Sequence, residues 1–251
     1  HYFDTPTGPA RERTISASIW DRDFTFTTAN GVFSTDGLDL GTSVLLRSVD
    51  PPPPGTRVLD LGCGWGPITV ALASAGAHVD AVDINDRALD LCRRNADAAG
   101  VADRVHTAHP DDIDPERRYD EIWSNPPIRI GKDALHDLLR RWLGHLDPEG
   151  TAYLVVGRNL GADSLQKWLI DTGWSCERLA SAKGFRVFAI PRGCPRCDPS
   201  HIAGRHPLWW GTSSHDDPSR QGLTSGGHMS AADKLGNAAQ EAKGEIKEGL
   251  G

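Results

Sequence analysis

The run Val58-Leu59-Asp60-Leu61-Gly62-Cys63-Gly64-Trp65-Gly66 is an apolar strand that ends in alternating glycines and opens a helix at Pro67. Glycines at 62, 64 and 66 let the backbone turn tightly and approach a ligand with no side chain in the way. A helix that starts there also presents unpaired N–H groups. Asp83 closes the next strand-like run, 23 residues after Asp60. At that spacing an acid can hydrogen-bond both hydroxyls of an adenosine ribose. The register is Asp-x-Gly-x-Gly-x-Gly, not the G-x-G-x-x-G that seats a pyrophosphate on a helix N-terminus. An anionic Asp60 before the turn suits a cationic ligand end better than a pyrophosphate. A dinucleotide turn and a purely structural glycine turn stand as the alternatives.

Working outward, strand-like runs at Arg57 to Leu61, His78 to Asp83, Arg104 to Ala108, Tyr119 to Ser124 and Thr151 to Val156 alternate with helical stretches. The helical stretches are Pro67 to Ala75, Asp86 to Ala99, Asp133 to Leu146 and Ala162 to Thr172. Such alternation predicts βαβ units and an α/β fold, a mostly parallel, doubly wound sheet with helices on both faces. Trp174 to Ala182 and Phe185 to Ile190 are joined by only Lys183-Gly184, which requires an antiparallel hairpin at the end of the sheet. Upstream, residues 14–28 alternate apolar and polar side chains as half-buried strands do, Asn30-Gly31 supplies a turn, and Leu38 to Val49 reads as a short helix. Pro51 to Pro54 then stops that helix. The expected organisation is a β-rich N-terminal extension at 1–50 and a core at 51–191. Residues 192–228, without periodicity, read as linker or disorder, and 229–251 as a short alanine-rich helical tail.

The bulk numbers exclude more than they assign. No apolar run reaches the ~20 residues that span a bilayer. A net charge of −7 excludes a protein that grips nucleic acid by a general basic surplus, so any such site must be a local patch. Of five cysteines, Cys63, Cys92 and Cys176 fall in otherwise apolar segments, as expected for buried thiols in a reducing cytoplasm. The chain opens on His1 and its one methionine is Met229, so the true start is expected to lie upstream.

A second motif follows the strand Tyr119 to Ser124, which runs straight into Asn125-Pro126-Pro127-Ile128. Paired prolines at the C-terminal edge of a parallel strand stiffen the backbone, so Asn125 projects into the crevice where such sheets bind ligands. The Asn125 side-chain oxygen and the Pro126 carbonyl can each accept a hydrogen bond from one –NH₂ group. A nitrogen held that way keeps its lone pair aimed at an electrophile. A rigid turn without chemistry is the alternative.

Together the two motifs resemble the Rossmann-like class I methyltransferases that use an Asn-Pro-Pro-aromatic motif. SNPPIRIGK (Ser124 to Lys132), FTFTTANGVFS (Phe24 to Ser34), LDLGT (Leu38 to Thr42) and KGFRVFAI (Lys183 to Ile190) resemble the 16S ribosomal RNA guanine-N2-methyltransferase family, the RsmC type, in its single-domain form. The resemblance implies S-adenosylmethionine as cofactor and small-subunit ribosomal RNA as partner, with no metal. Asp60, Gly62, Gly64 and Gly66 would cradle the methionine and ribose parts, Asp83 the ribose hydroxyls, and Ile84 would lie beside the adenine. Asp111 falls where such enzymes often place an acid near the adenine amine, and Gly41 and Thr42 would lie against the cofactor from the N-terminal side. Asn125, Pro126, Pro127 and Ile128 would form the acceptor site. Ile128 departs from the motif, whose last position is often Tyr or Phe, and so lacks base–aromatic stacking worth ~1–3 kcal/mol. Alignment of nitrogen, methyl carbon and sulfur would supply much of the rate, and a target base inside a helix would have to be extruded.

Arg129 and Lys132, with Arg140 and Arg141, form the candidate RNA patch, or else a solvated helix face interleaved with Asp133 and Asp137. Cys194 and Cys197, with His201 and His206, have metal-ligand chemistry but unusually tight spacing and no folded module around them. Residues 229–251 resemble the opening of the small CsbD-like stress-protein family. The competing functions are a protein glutamine N5-methyltransferase, which uses the same Asn-Pro-Pro logic but usually has a helical N-terminal domain and a tyrosine after the prolines, an S-adenosylmethionine-binding RNA-binding module without activity, and a stress-associated interaction protein defined by its tail.

Overall fold

The alternating N-terminal segment forms a hairpin of β1 (Glu12–Ile19) and β2 (Arg22–Ala29), antiparallel from Glu12 opposite Ala29 to Ile19 opposite Arg22. Its turn, Trp20-Asp21, has both residues at positive φ, 48° and 60°. Two-residue hairpin loops need that geometry, and glycine or asparagine normally supplies it. No glycine therefore marked this turn in the sequence. The Asn30-Gly31 turn follows β2, and α1 (Leu40–Ser48) begins after Asp39, whose carboxylate caps it by accepting from the Thr42 N–H at 3.0 Å. The computed structural model describes residues 8–127 and 130–193.

After the prolines come β3 (Arg57–Leu61), α2 (Pro67–Ser74), β4 (His78–Val82), α3 (Asp86–Ala98), β5 (Val105–Ala108) and β6 (Tyr119–Ser124). The rest is α4 (Lys132–Leu143), β7 (Leu146–Gly157), α5 (Ala162–Asp171), β8 (Glu177–Ala182) and β9 (Phe185–Pro191). The strands make one seven-stranded sheet in the order β5-β4-β3-β6-β7-β9-β8. Pairing is parallel from β5 to β7 and antiparallel for β7-β9 and β9-β8. This is a Rossmann-like, mostly parallel sheet that ends in an antiparallel hairpin, with an added N-terminal hairpin.

Period-two alternation divides the core between the sheet's faces. Along β7, Ala152, Leu154 and Val156 pack with α4 and α5, while Tyr153 and Val155 pack with α1, α2 and the hairpin. On the α1 side, Val44, Leu45, Leu46 and Val49 are buried against Trp123, Val187 and Ala189, so α1 is a core helix. Burial of each such side chain contributes about 1.5–3 kcal/mol. Strand order reverses at β3, with β4 on one side and β6 on the other. Open α/β sheets bind ligands outside the strand C-termini at such a point, and both motifs lie there. No helix among the described residues is long and apolar enough to cross a membrane.

Candidate active site

The ends of β3 and β6 are tied together before any ligand is considered. The buried Ser124 hydroxyl donates to the Leu61 carbonyl at 2.7 Å, which sets Asn125 beside the glycine turn. Gly62, Gly64 and Gly66 all have positive φ, 79°, 56° and 89°, so each needs glycine for its backbone. They differ in what surrounds them. Among the described residues, a Cβ at Gly62 or Gly64 would meet nothing within 4 Å, whereas at Gly66 it would strike the Cys92 sulfur at 2.7 Å. Gly62 and Gly64 thus border open space, and Gly66 lets the turn press against α3.

Two carboxylates shape that space. Asp60 is completely buried, with Oδ2 accepting from the Thr69 hydroxyl at 2.6 Å and Oδ1 left without a hydrogen-bond partner among the described residues. Burial pushes its carboxyl up to about 7, against the pull of the Thr69 bonds and with a smaller push from Asp83. Asp83 is pinned at both oxygens, accepting from the Gly64 N–H and the Asn85 N–H, each at 3.0 Å. Burial also raises its carboxyl above the usual range, opposed by those backbone donors. Ile84, beside it, is 47% exposed, an apolar side chain facing outward at the crevice.

The N-terminal segment is strapped over the same turn. The Trp65 indole N–H donates to the Phe33 and Ser34 carbonyls, both at 3.0 Å, and the Asn85 amide donates to the Gly31 carbonyl at 2.8 Å. Buried Asn95 bridges further: it accepts from the Thr27 N–H and donates to the Thr27 and Trp65 carbonyls. Residues 27–34 are therefore part of the site's construction.

Just past the end of β6, the Asn125 –NH₂ donates to Asp39 Oδ2 at 2.7 Å and to the Thr42 hydroxyl at 3.1 Å. A carboxylate only accepts, so the amide nitrogen must face Asp39. The Asn125 oxygen is then turned the other way, and no described residue donates to it. Two N–H bonds of one amide group are thus spent on orientation, leaving its acceptor available. The sequence reading named Thr42 but not Asp39. The signal was present, because Asp39 has the N-cap type and stands in the quoted LDLGT.

Other candidates fall less centrally. Gly41 is buried where a Cβ would meet the Phe185 ring at 2.8 Å, so its missing side chain makes room for β9. Asp111 is 90% exposed at its side chain and pairs with Arg141 at 3.0 Å. Arg140 pairs with Asp137 at 2.6 Å and lies over the Trp168 ring, and Arg141 lies over Trp142. Arg140 and Arg141 of the expected patch are thus already engaged. Lys132 is exposed at the start of α4. Pro126 is buried and Pro127 half-buried. Ile128, Arg129, Cys194, Cys197, His201 and His206 lie outside the described residues, as does the 229–251 tail.

Residues 23–189 match the methyltransferase small domain family. The chain belongs to that family. It is 33% identical over 169 residues to the uncharacterized protein YbxB of Bacillus subtilis, covering 65% of this chain and 84% of that one. It is also 34% identical over 172 residues to the ribosomal RNA small subunit methyltransferase C of Citrobacter koseri, covering 66% of this chain and 49% of the relative. The chain thus spans about half the length of that larger relative. The structure resembles that of the T. thermophilus 16S rRNA N2 G1207 methyltransferase (RsmC), solved with AdoMet and guanosine. The TM-score is 0.66 at 26% identity, over 74% of this chain and 52% of that one. These matches lend no support to a CsbD-like tail, since the family match ends at residue 189.

S-adenosylmethionine is the cofactor of this methyltransferase family, and the residues fit it. The unpaired Asp60 oxygen and the open space over Gly62 and Gly64 suit the ammonium end of the methionine. Pinned Asp83 suits the ribose hydroxyls, and exposed Ile84 an adenine face. Bound there, the cofactor supplies an electrophilic methyl group on a sulfonium leaving group.

Proposed function

We propose that this protein methylates the exocyclic N2 amine of a guanine in small-subunit ribosomal RNA, working in the reducing cytoplasm that its free thiols suit. The observation that carries this reading is the Asn125 amide, whose nitrogen is held by Asp39 and Thr42 so that its oxygen can accept from an acceptor's –NH₂. With the Pro126 carbonyl as second acceptor, both amine hydrogens are bound and the nitrogen lone pair points out of their plane. Such alignment, rather than a strong base, supplies the rate, since an aromatic amine is unprotonated at neutral pH and can lose its proton late to water. The guanosine in the RsmC complex supports this choice of acceptor. The catalytic unit is the N-terminal strap plus the core to residue 191, and Lys132 with Arg129 borders the RNA.

The test is transfer of labelled methyl from S-adenosylmethionine to small ribosomal subunits, free ribosomal RNA and peptide release factors, followed by nucleoside and amino-acid analysis. N2-methylguanosine is expected. Label in a glutamine side chain, or in no acceptor, overturns the proposal.

A further inference from the structure

An acidic protein that acts on RNA needs a local cationic surface, and Arg140 and Arg141 on α4 are engaged by acids. The antiparallel end of the sheet supplies another. Because β9 runs opposite to β7, the β8-β9 turn lies at the same sheet edge as the C-terminal ends of the parallel strands, where Asn125 stands. Gly157 is opposite Phe185, and the Arg158 N–H donates to the Gly184 carbonyl at 2.7 Å. This sets Arg158 opposite Gly184, the residue that follows Lys183. The same turn reaches the acceptor residue through a short series of contacts. Phe185 packs on Gly41, the residue between Leu40 and Thr42 at the start of α1, and Asp39 and Thr42 hold Asn125.

Arg158 and Lys183 are both exposed, and among the described residues neither side chain has an ion pair or hydrogen bond. The acid that follows Arg158 most closely, Asp163, is engaged by Arg178 at 3.2 Å and by Arg186. Lys183 also sits at φ 50°, followed by Gly184 at 82°. A side chain pays for that backbone conformation, and asparagine or glycine fills it more cheaply. Trp20 occupies the same region in the first hairpin, but its indole N–H donates to the Val49 carbonyl at 3.2 Å and its ring packs edge-on against Trp123. Among the described residues Lys183 makes no hydrogen bond or ring contact of this kind, so no such interaction holds a lysine there.

We propose that Arg158 and Lys183 form a phosphate-binding rim that holds the RNA backbone beside the acceptor pocket, a role that rests on the RNA reading above. Neutralising a phosphate releases counterions, so each contact steepens the salt dependence of binding.

The experiment compares the full chain with the Arg158→Gln/Lys183→Gln double variant. It measures binding to a small-subunit RNA across a potassium chloride series, and methyl transfer with RNA varied. Expected are a KM for RNA raised about tenfold at moderate salt and a log–log salt slope shallower by ~1.4–1.8, with S-adenosylmethionine affinity unchanged. Lys183→Asn should raise the melting temperature slightly while weakening RNA binding, and Lys183→Arg should keep binding. A structural role for Lys183 would not give that opposition. If the wild-type chain methylates RNA and the double variant shows the same KM and salt slope, the rim is overturned and the RNA reading stands. If the wild-type chain neither binds nor methylates RNA, both fall.

Discussion

The two ends of the crevice, proposed above as cofactor and acceptor sites, are built on different principles. At the cofactor end, a continuous stretch from Asp60 to Gly66 supplies the turn, and one further residue, Asp83, braces it through the Gly64 N–H. One buried acid is left incompletely paired. At the acceptor end, Asn125 is oriented by Asp39 and Thr42, more than eighty residues earlier, and both of its N–H bonds are already made. The first region waits for a ligand to complete it, and the second is finished in advance. On the proposed reading, binding energy would be gained mainly where groups are unsatisfied, and alignment stored where they are satisfied.

The largest effect should come from dismantling that preset alignment. Asn125→Ala should lower the single-turnover rate ~100-fold or more while leaving cofactor affinity nearly intact. Asp39→Ala should lower the rate through the same amide and also cost ~1 kcal/mol of stability as a lost helix cap. Asp39→Asn, which can still cap and still accept, should keep most of the rate. Parallel measurement of the rate, cofactor affinity and melting temperature decides this. An Asn125→Ala protein with wild-type rate would reduce the Asn-Pro-Pro turn to structure.

A second comparison lies inside the glycine turn. Gly66→Ala forces a Cβ onto Cys92 and should destabilise the fold by ~1–3 kcal/mol. Gly64→Ala meets open space, so it carries mainly the backbone penalty of roughly 1–2 kcal/mol, yet its methyl group enters the volume assigned to the cofactor. Denaturant unfolding with and without S-adenosylhomocysteine separates the two. Ligand should still stabilise Gly66→Ala but not Gly64→Ala, and the reverse pattern would exchange their roles.

The smallest effect is a pH dependence, and its sign differs between fold and ligand. Asp60 ionises near 3.8 when unfolded and near 7 when buried, so the folded state holds the proton more tightly. Its contribution to stability is complete below 3.8 and is lost as pH rises through about 7. A cationic ligand end favours the carboxylate, so cofactor affinity should instead rise with pH, by at most about tenfold per unit, and level off above that point. Thr69 on α2 and Asp83 at the end of β4 are the neighbours that tune this titration. Calorimetric titration across the range should show proton release on binding, and Asp60→Asn should flatten the profile. A flat wild-type profile would remove Asp60 from the ammonium site.

Much of this molecule was legible because its signals are local. The parallel core, the terminal hairpin at Lys183-Gly184 and the glycine turn each rest on patterns within a few residues, periodicity or backbone requirement, which need no knowledge of distant contacts. Less visible was the first hairpin turn, since Trp20-Asp21 has positive φ without glycine or asparagine, and the contacts of Trp20 with Trp123 and Val49 are tertiary.

What the sequence determined by itself, then, is the α/β frame, the strand edge at which both motifs emerge, and the residue types suited to a cationic, adenosine-bearing ligand. Tertiary structure alone decided which glycines face open space, that Asp39 orients Asn125, that Gly41 serves Phe185, and that, among the described residues, Asp111, Arg140 and Arg141 are already paired while Arg158 and Lys183 are not. The reason is physical. Backbone preference and hydrophobic period are properties of a segment, whereas the availability of a hydrogen-bonding atom or a charge depends on whatever the fold places beside it.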